Sequence, residues 1–203
     1  MTEKLLLLGA GGHANSCLDV IEDSGKFEIY GFIDNKPEIE YFHEYRVLGN
    51  DSFLEEHRNH CENAFITVGQ IKSSQIRSSL YKKLLSFEYK IPTIISPKAA
   101  ISRRSELGAG TIAMHGVIVN SSGKVGVNTI LNTKSLIEHD VYIGSHCHIA
   151  TGAIINGGSI IHDGTFIGSG TIVKHGITIG KNCIVSAGLF IDKDLENGTI
   201  IKK

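Results

Sequence analysis

The chain has almost no excess of charge, because 20 Lys and Arg stand against 21 Asp and Glu for a formal net charge of −1. That removes the electrostatic case for a nucleic acid or an anionic membrane as partner. Long hydrophobic runs are missing too. The short apolar stretch "KLLLLGAGG" follows the acidic Glu3 and runs into glycines. It reads as a buried strand, not as a signal peptide or a membrane span. The four cysteines, Cys17, Cys61, Cys147 and Cys183, form no CxxC pair. Without a secretion signal they read as reduced, packed thiols of a cytoplasmic protein. Cys147, set between His146 and His148, is the one to examine. What is present, 41% hydrophobic and 20% charged residues over 203 positions, describes a soluble globular chain able to bury a core.

Two periodicities divide it. In the first part, "KLLLLGAGG" reads as a strand entering a glycine turn, "HANSCLDVIEDSG" as a helix ending at Gly25, and "FEIYGFIDN" as a second strand. "NAFITVGQ" then gives a third strand, "SSQIRSSLYKKLLSFEY" a helix and "KIPTIIS" a final strand. This order predicts a small α/β, Rossmann-like domain with a parallel sheet over residues 1–92.

From Ile95 every sixth residue is aliphatic, through Ile101, Leu107, Ala113, Val119 and on to Ile191, seventeen positions without a gap. Four places after many of them stands a small residue, as at Thr111, Thr129, Ser135, Cys147 and Thr165. A helix requires spacings of three and four, and an ordinary strand requires two. A period of six means short flat strands joined by tight corners, with one aliphatic pointing inward from each. Three hexads make one triangular coil, so residues 93–203 are predicted to form an all-β parallel β-helix of five to six coils.

The loop "GAGGHA" supplies Gly9, Gly11 and Ala14 between a strand and a helix, and Asp34 closes the second strand. Such glycines let backbone N–H groups approach a diphosphate, and the acid can bind a ribose hydroxyl. A dehydrogenase would use the same pattern. However, about ninety residues are too few for both halves of a dinucleotide fold, and His13 stands where such enzymes keep a small residue. A nucleotide-linked sugar uses the same amides and the same acid, so the first domain reads as a nucleotide-sugar holder.

The hexad pattern resembles the hexapeptide-repeat acyltransferases. With "GAGGHA", "FIDN", "ITVG" and "LNTKSLIEHD", nearly the whole chain resembles the NeuD/PglD-like sugar O- and N-acyltransferases, which include the UDP-4-amino-sugar acetyltransferase of bacillosamine synthesis. The resemblance implies a left-handed β-helix, a homotrimer with active sites between subunits, acetyl-CoA as co-substrate and no metal. Its nucleotide-sugar positions fall on Gly11, Gly12, His13, Asp34, Asn35, Gly69 and Asn132. Its catalytic histidine falls on His139, followed by Asp140 where relatives have Glu, and its coenzyme contacts fall on His148, Ser169 and Ala187.

The implied activity is N-acetylation of the 4-amino group of a UDP-linked deoxy-amino sugar for a surface glycan. A sugar amine attacking a thioester needs a neutral imidazole to take its proton and a carboxylate to hold that imidazole. The alternatives are O-acetylation of a sialic-acid-like sugar and a non-catalytic nucleotide-sugar-binding protein. Zinc chemistry of the gamma carbonic anhydrase kind would need three converging histidines, whereas His146 and His148 alternate on a strand and face opposite ways. His115, His162 and His175 read as surface residues, as do His43, His57 and His60. The chain ends "LENGTIIKK", without the "GNPAK"-like closing segment of the family.

Overall fold

The computed structural model describes residues 2–36 and 40–202, and they form two compact units, residues 1–69 with 76–92 and residues 70–75 with 93–203. The first is built on a parallel sheet in the order β2 (Phe27–Ile33), β1 (Glu3–Leu8), β5 (Asn63–Ile66). Leu5, Leu6, Leu7 and Leu8 of the central strand are all buried. An uninterrupted apolar run is what a strand covered on both faces requires, and each such leucine contributes roughly 1.5–3 kcal/mol on burial. Helix α1 (Gly12–Ser24) buries Ala14, Cys17, Leu18, Val20 and Ile21 and stops at Gly25, which takes the left-handed conformation at φ 60°. A short antiparallel ribbon, β3 (Tyr41–Phe42) with β4 (Tyr45–Arg46), precedes α2 (Leu54–Arg58), and α3 (Gln75–Ser86) follows β5. Helix α2 turns His57 inward, contrary to its expected surface position; it is buried, with the Tyr30 hydroxyl 3.5 Å from Nδ1.

Arg77 of α3 is also buried and donates from Nη1 to the carbonyls of Ile66 and Val68 at 3.0 and 2.7 Å. It therefore holds the end of β5, where the chain turns toward Gly69. Burial pushes the neighbouring Cys17 thiol up to about 12, so Cys17 is a packed apolar group without thiolate chemistry.

"KIPTIIS" does not extend this sheet. Lys90 makes a single bridge to Asn63, and Ile94–Ile95 pairs instead with Ile112 and Ala113 as the first rung of the second unit. The hexad rhythm already includes Ile95, and that period decides where the strand goes.

The second unit is a parallel β-solenoid of about six coils, matching a left-handed β-helix. Seventeen two-residue strands run from Ile94–Ile95 to Phe190–Ile191, each ending on one of the predicted aliphatics, and Ile200–Ile201 adds a last one. They stack into three flat faces of seven, six and five strands. The first face starts at Ile94–Ile95, the second at Ala100–Ile101 and the third at Glu106–Leu107. From Ala113 to Ile191 every inward aliphatic is buried, while Ile95, Ile101 and Leu107 of the opening coil are half-exposed.

Corners close by tight turns, for example Ser135 N–H to the Asn132 carbonyl at 3.0 Å. From Gly110 to Gly188 the third residue of each turn, every sixth position, has positive φ, including Asn128, Lys134, Asp140 and His146, whereas Lys98 and Arg104 of the opening turns do not. That is the type II pattern, which favours Gly and tolerates Asn or Asp.

The small residues beside the corners form a ladder. Thr129 Oγ1 donates to the Gly144 carbonyl at 3.0 Å and accepts the Cys147 N–H at 3.1 Å; Thr111 and Thr165 repeat the pattern in their coils. Cys147 belongs to this ladder, with Sγ donating to the His162 carbonyl, and burial raises its pKa to about 12. Its place between two histidines has no chemical consequence.

Candidate active site

In the first unit the glycine loop joins β1 to α1. Gly11 caps the helix with extended backbone, no side chain caps it, and no acidic residue stands in its first turn. Cβ atoms added at Gly11 or Gly12 would meet nothing within 4 Å, so open space lies over the helix N-terminus. A helix start of this kind favours an anion. Asp34 anchors the loop: Oδ2 accepts the Ala10 N–H at 2.7 Å and Oδ1 accepts the Lys36 N–H at 2.9 Å. Its carboxylate thus shapes the loop directly, a role that the ribose-binding reading does not include. Asn35 accepts the Asp51 N–H at 3.3 Å, and the His13 Cβ packs over Gly69, whose own Cβ would stand 3.1 Å from it. Gly11, Gly12, His13, Asp34, Asn35 and Gly69 therefore gather at the carboxyl ends of β1, β2 and β5, where ligands of parallel sheets bind. Next to Asp34 a cavity of about 540 Å³ is lined by Asn35, Tyr41, Arg46, Asn50 and Phe53 among others.

In the second unit the predicted residues separate by edge. His139 and Asp140 stand on the edge between the second and third faces, and both are exposed. His139 Nδ1 lies 2.8 Å from Asp140 Oδ2. This hydrogen bond to the carboxylate is the main cause that raises the imidazole above its ordinary pKa, with the charges of Asp140 and Glu138 adding to it. Asp140 occupies a left-handed corner position at φ 59°, which turns its carboxylate back onto the preceding residue. Donation from Nδ1–H to the carboxylate leaves Nε2 as the basic nitrogen.

Asn132, Ser169 and Ala187 lie on the edge between the first and second faces, with Ser169 and Ala187 exposed and one coil apart. His148 points out from the first face but is only 6% exposed. Its Nδ1 is 2.5 Å from the Gln70 carbonyl, its Nε2 is 3.1 Å from Asn132 Nδ2, and its ring meets Phe166 edge-on. His146 sits on the third edge, its Nδ1 2.9 Å from Asn128 Nδ2, apart from both other histidines. His139, His146 and His148, within ten residues of one another in sequence, thus occupy three different places on the solenoid. Among the described residues no group of His, Cys, Asp and Glu is arranged to hold a metal ion, and no helix is long and apolar enough to cross a membrane.

Gly157 was not identified from the sequence. It lies one coil on from His139 at the same corner, beneath the imidazole. The sequence signal was available in retrospect, since Gly157 is His139 plus one coil of 18 residues.

Residues 4–84 match the PglD N-terminal domain model and residues 158–193 match the hexapeptide repeat of succinyl-transferase. The whole chain superposes on solved structures. Perosamine N-acetyltransferase from Caulobacter crescentus, a histidine-to-asparagine variant in complex with CoA and GDP-perosamine, matches at TM-score 0.91 and 25% identity, over 98% of this chain and 93% of that one. The acetyltransferase domain of PglB from Neisseria gonorrhoeae matches at 0.91 and 25%, over 98% and 96%. WeeI from Acinetobacter baumannii shares the fold at 0.88 and 24% identity, over 100% and 97%.

Proposed function

Since this chain belongs to the PglD-like hexapeptide-repeat sugar acyltransferases, we propose that it transfers the acetyl group of acetyl-CoA to the 4-amino group of a nucleotide-linked deoxy-amino sugar. The observation that carries the chemistry is the His139–Asp140 pair, with Nδ1 held at 2.8 Å and Nε2 left as base. The sugar amine attacks the thioester carbonyl, and Nε2 takes the proton released as the C–N bond forms. Collapse of the tetrahedral intermediate breaks the C–S bond, and the imidazolium returns the proton to the leaving thiolate. Asp140 fixes the tautomer and stabilises the imidazolium. The buried thiol of Cys147 argues against a covalent acyl-enzyme through that residue.

The glycine loop with Asp34 binds the nucleotide diphosphate, and Ser169 and Ala187 contact the coenzyme. UDP is the carrier indicated by the resemblance of the motifs. GDP is a second candidate, because the Caulobacter relative is described with GDP-perosamine.

The active assembly is a trimer. Outward residues of the second face are Ala100, Ile118, Leu136, Ile154, Ile172 and Phe190, an apolar strip of which Phe190 is 62% exposed. In one chain the His139 edge and the Ser169 edge flank this face on opposite sides. Packing such faces around a threefold axis brings the base of one copy to the coenzyme edge of the next.

Thiol release from acetyl-CoA with a panel of UDP- and GDP-linked 4-amino sugars tests the reading. Free thiol with an amino sugar and none with its 4-hydroxyl analogue is expected. Release only with hydroxyl acceptors, or binding without release, would overturn it.

A further inference from the structure

Gly157 follows His139 by one coil on the same corner, and the two turns are tied by the Gly158 N–H donating to the His139 carbonyl at 3.0 Å. A Cβ built on Gly157 would stand 2.8 Å from both Cε1 and Nε2 of His139 and 3.4 Å from Cδ2. Carbon atoms at rest against each other stay about 3.5–4.0 Å apart. The imidazole therefore occupies the space that any side chain at residue 157 would fill.

The backbone gives no other reason for glycine here. The left-handed position of this corner belongs to Gly158, at φ 69°, while Gly157 is not among the positive-φ residues. A substitution at Gly157 therefore meets the exposed, movable ring of His139, and the coil has no need to rearrange.

We propose that Gly157 is a positioning residue: its lack of a side chain seats the His139 imidazole where Nδ1 meets Asp140 and Nε2 faces the acceptor amine. The inference rests on His139 being the base, although its primary readout does not. Other groups around the ring are Asp140 and Glu138, whose Oε2 accepts the His139 N–H at 3.3 Å and the Asn120 amide at 3.0 Å. One coil beyond Gly157 the same corner carries His175, which is exposed.

The test is Gly157→Ala in the full chain, with the His139 imidazole titrated by NMR. The expected result is a His139 pKa moved down toward that of a free imidazole, with the thermal midpoint unchanged. Turnover should fall about ten- to a hundredfold with little change in either KM, as for a misplaced catalytic group. In a His139→Ala background, Gly157→Ala should cause no further loss. His139 titrating in Gly157→Ala as it does in the parent would overturn the inference. Parental turnover in His139→Ala would overturn the base assignment alone, and the titration would still decide the seat.

Discussion

Gln70 and His148 are joined across 78 positions of sequence by a 2.5 Å hydrogen bond from His148 Nδ1–H to the Gln70 carbonyl. Gln70 answers from its own side chain, donating Nε2–H to the His146 carbonyl at 2.8 Å. Residues 70–75 are thereby fastened to the first face of the solenoid. His148→Ala should open that fastening, lower stability by about 1–3 kcal/mol through the partners left unpaired, and expose residues 70–75 to protease. Thermal denaturation and limited proteolysis would measure both. A raised KM for acetyl-CoA with unaltered protease resistance would instead favour a direct coenzyme contact.

Asp140→Asn removes the main cause of the raised His139 pKa. The rate increases as the base loses its proton, so in the parent kcat/KM should rise with pH through a midpoint above that of an ordinary imidazole. In Asp140→Asn the midpoint should move down, with a lower plateau because the tautomer is no longer fixed. The folding contribution has the opposite pH sense, since the folded pKa is raised. It is fully present below the unfolded value and lost as pH rises through the folded value. His139→Ala should lose several powers of ten in turnover while acetyl-CoA still binds, as turnover measurements and calorimetry would show.

Asp34→Ala removes the acceptor of the Ala10 and Lys36 amides. KM for the nucleotide sugar should rise at least tenfold, with that for acetyl-CoA nearly unchanged. An equal effect on both would contradict the assignment of the nucleotide to the glycine loop.

Ile154→Glu places a charge in the apolar strip of the second face without touching the inward column. Sedimentation should show monomers that retain β-sheet circular dichroism and lose activity. A variant that remained trimeric and active would refute the proposed packing.

The hexad period made the solenoid legible because it is geometric: each inward aliphatic ends one two-residue strand, and Ile137, Ile143 and Ile149 are fully buried as that period requires. Three hexads per coil also imply that outward residues 18 apart share an edge, but the period could not reveal how their side chains meet there. The likeness of "IEHD" to a known motif singled out His139. The empty seat at Gly157 stayed unread because one glycine among 23 carries no local signal. "KIPTIIS" has the local character of a strand in either unit, and it is the hexad period running through Ile95 that assigns it to the second, where Ile94 and Ile95 pair with Ile112 and Ala113.

The sequence by itself determined the two kinds of architecture and set His139 beside Asp140, because periodicity and adjacent residues are properties of a linear chain. The tertiary structure decided that His139, His146 and His148 belong to three different places, that Asp34 shapes the loop it closes, and that His148 holds a distant segment. The corners and rungs separate residues that are close in sequence, and strand pairing and coil stacking join residues that are far apart in it.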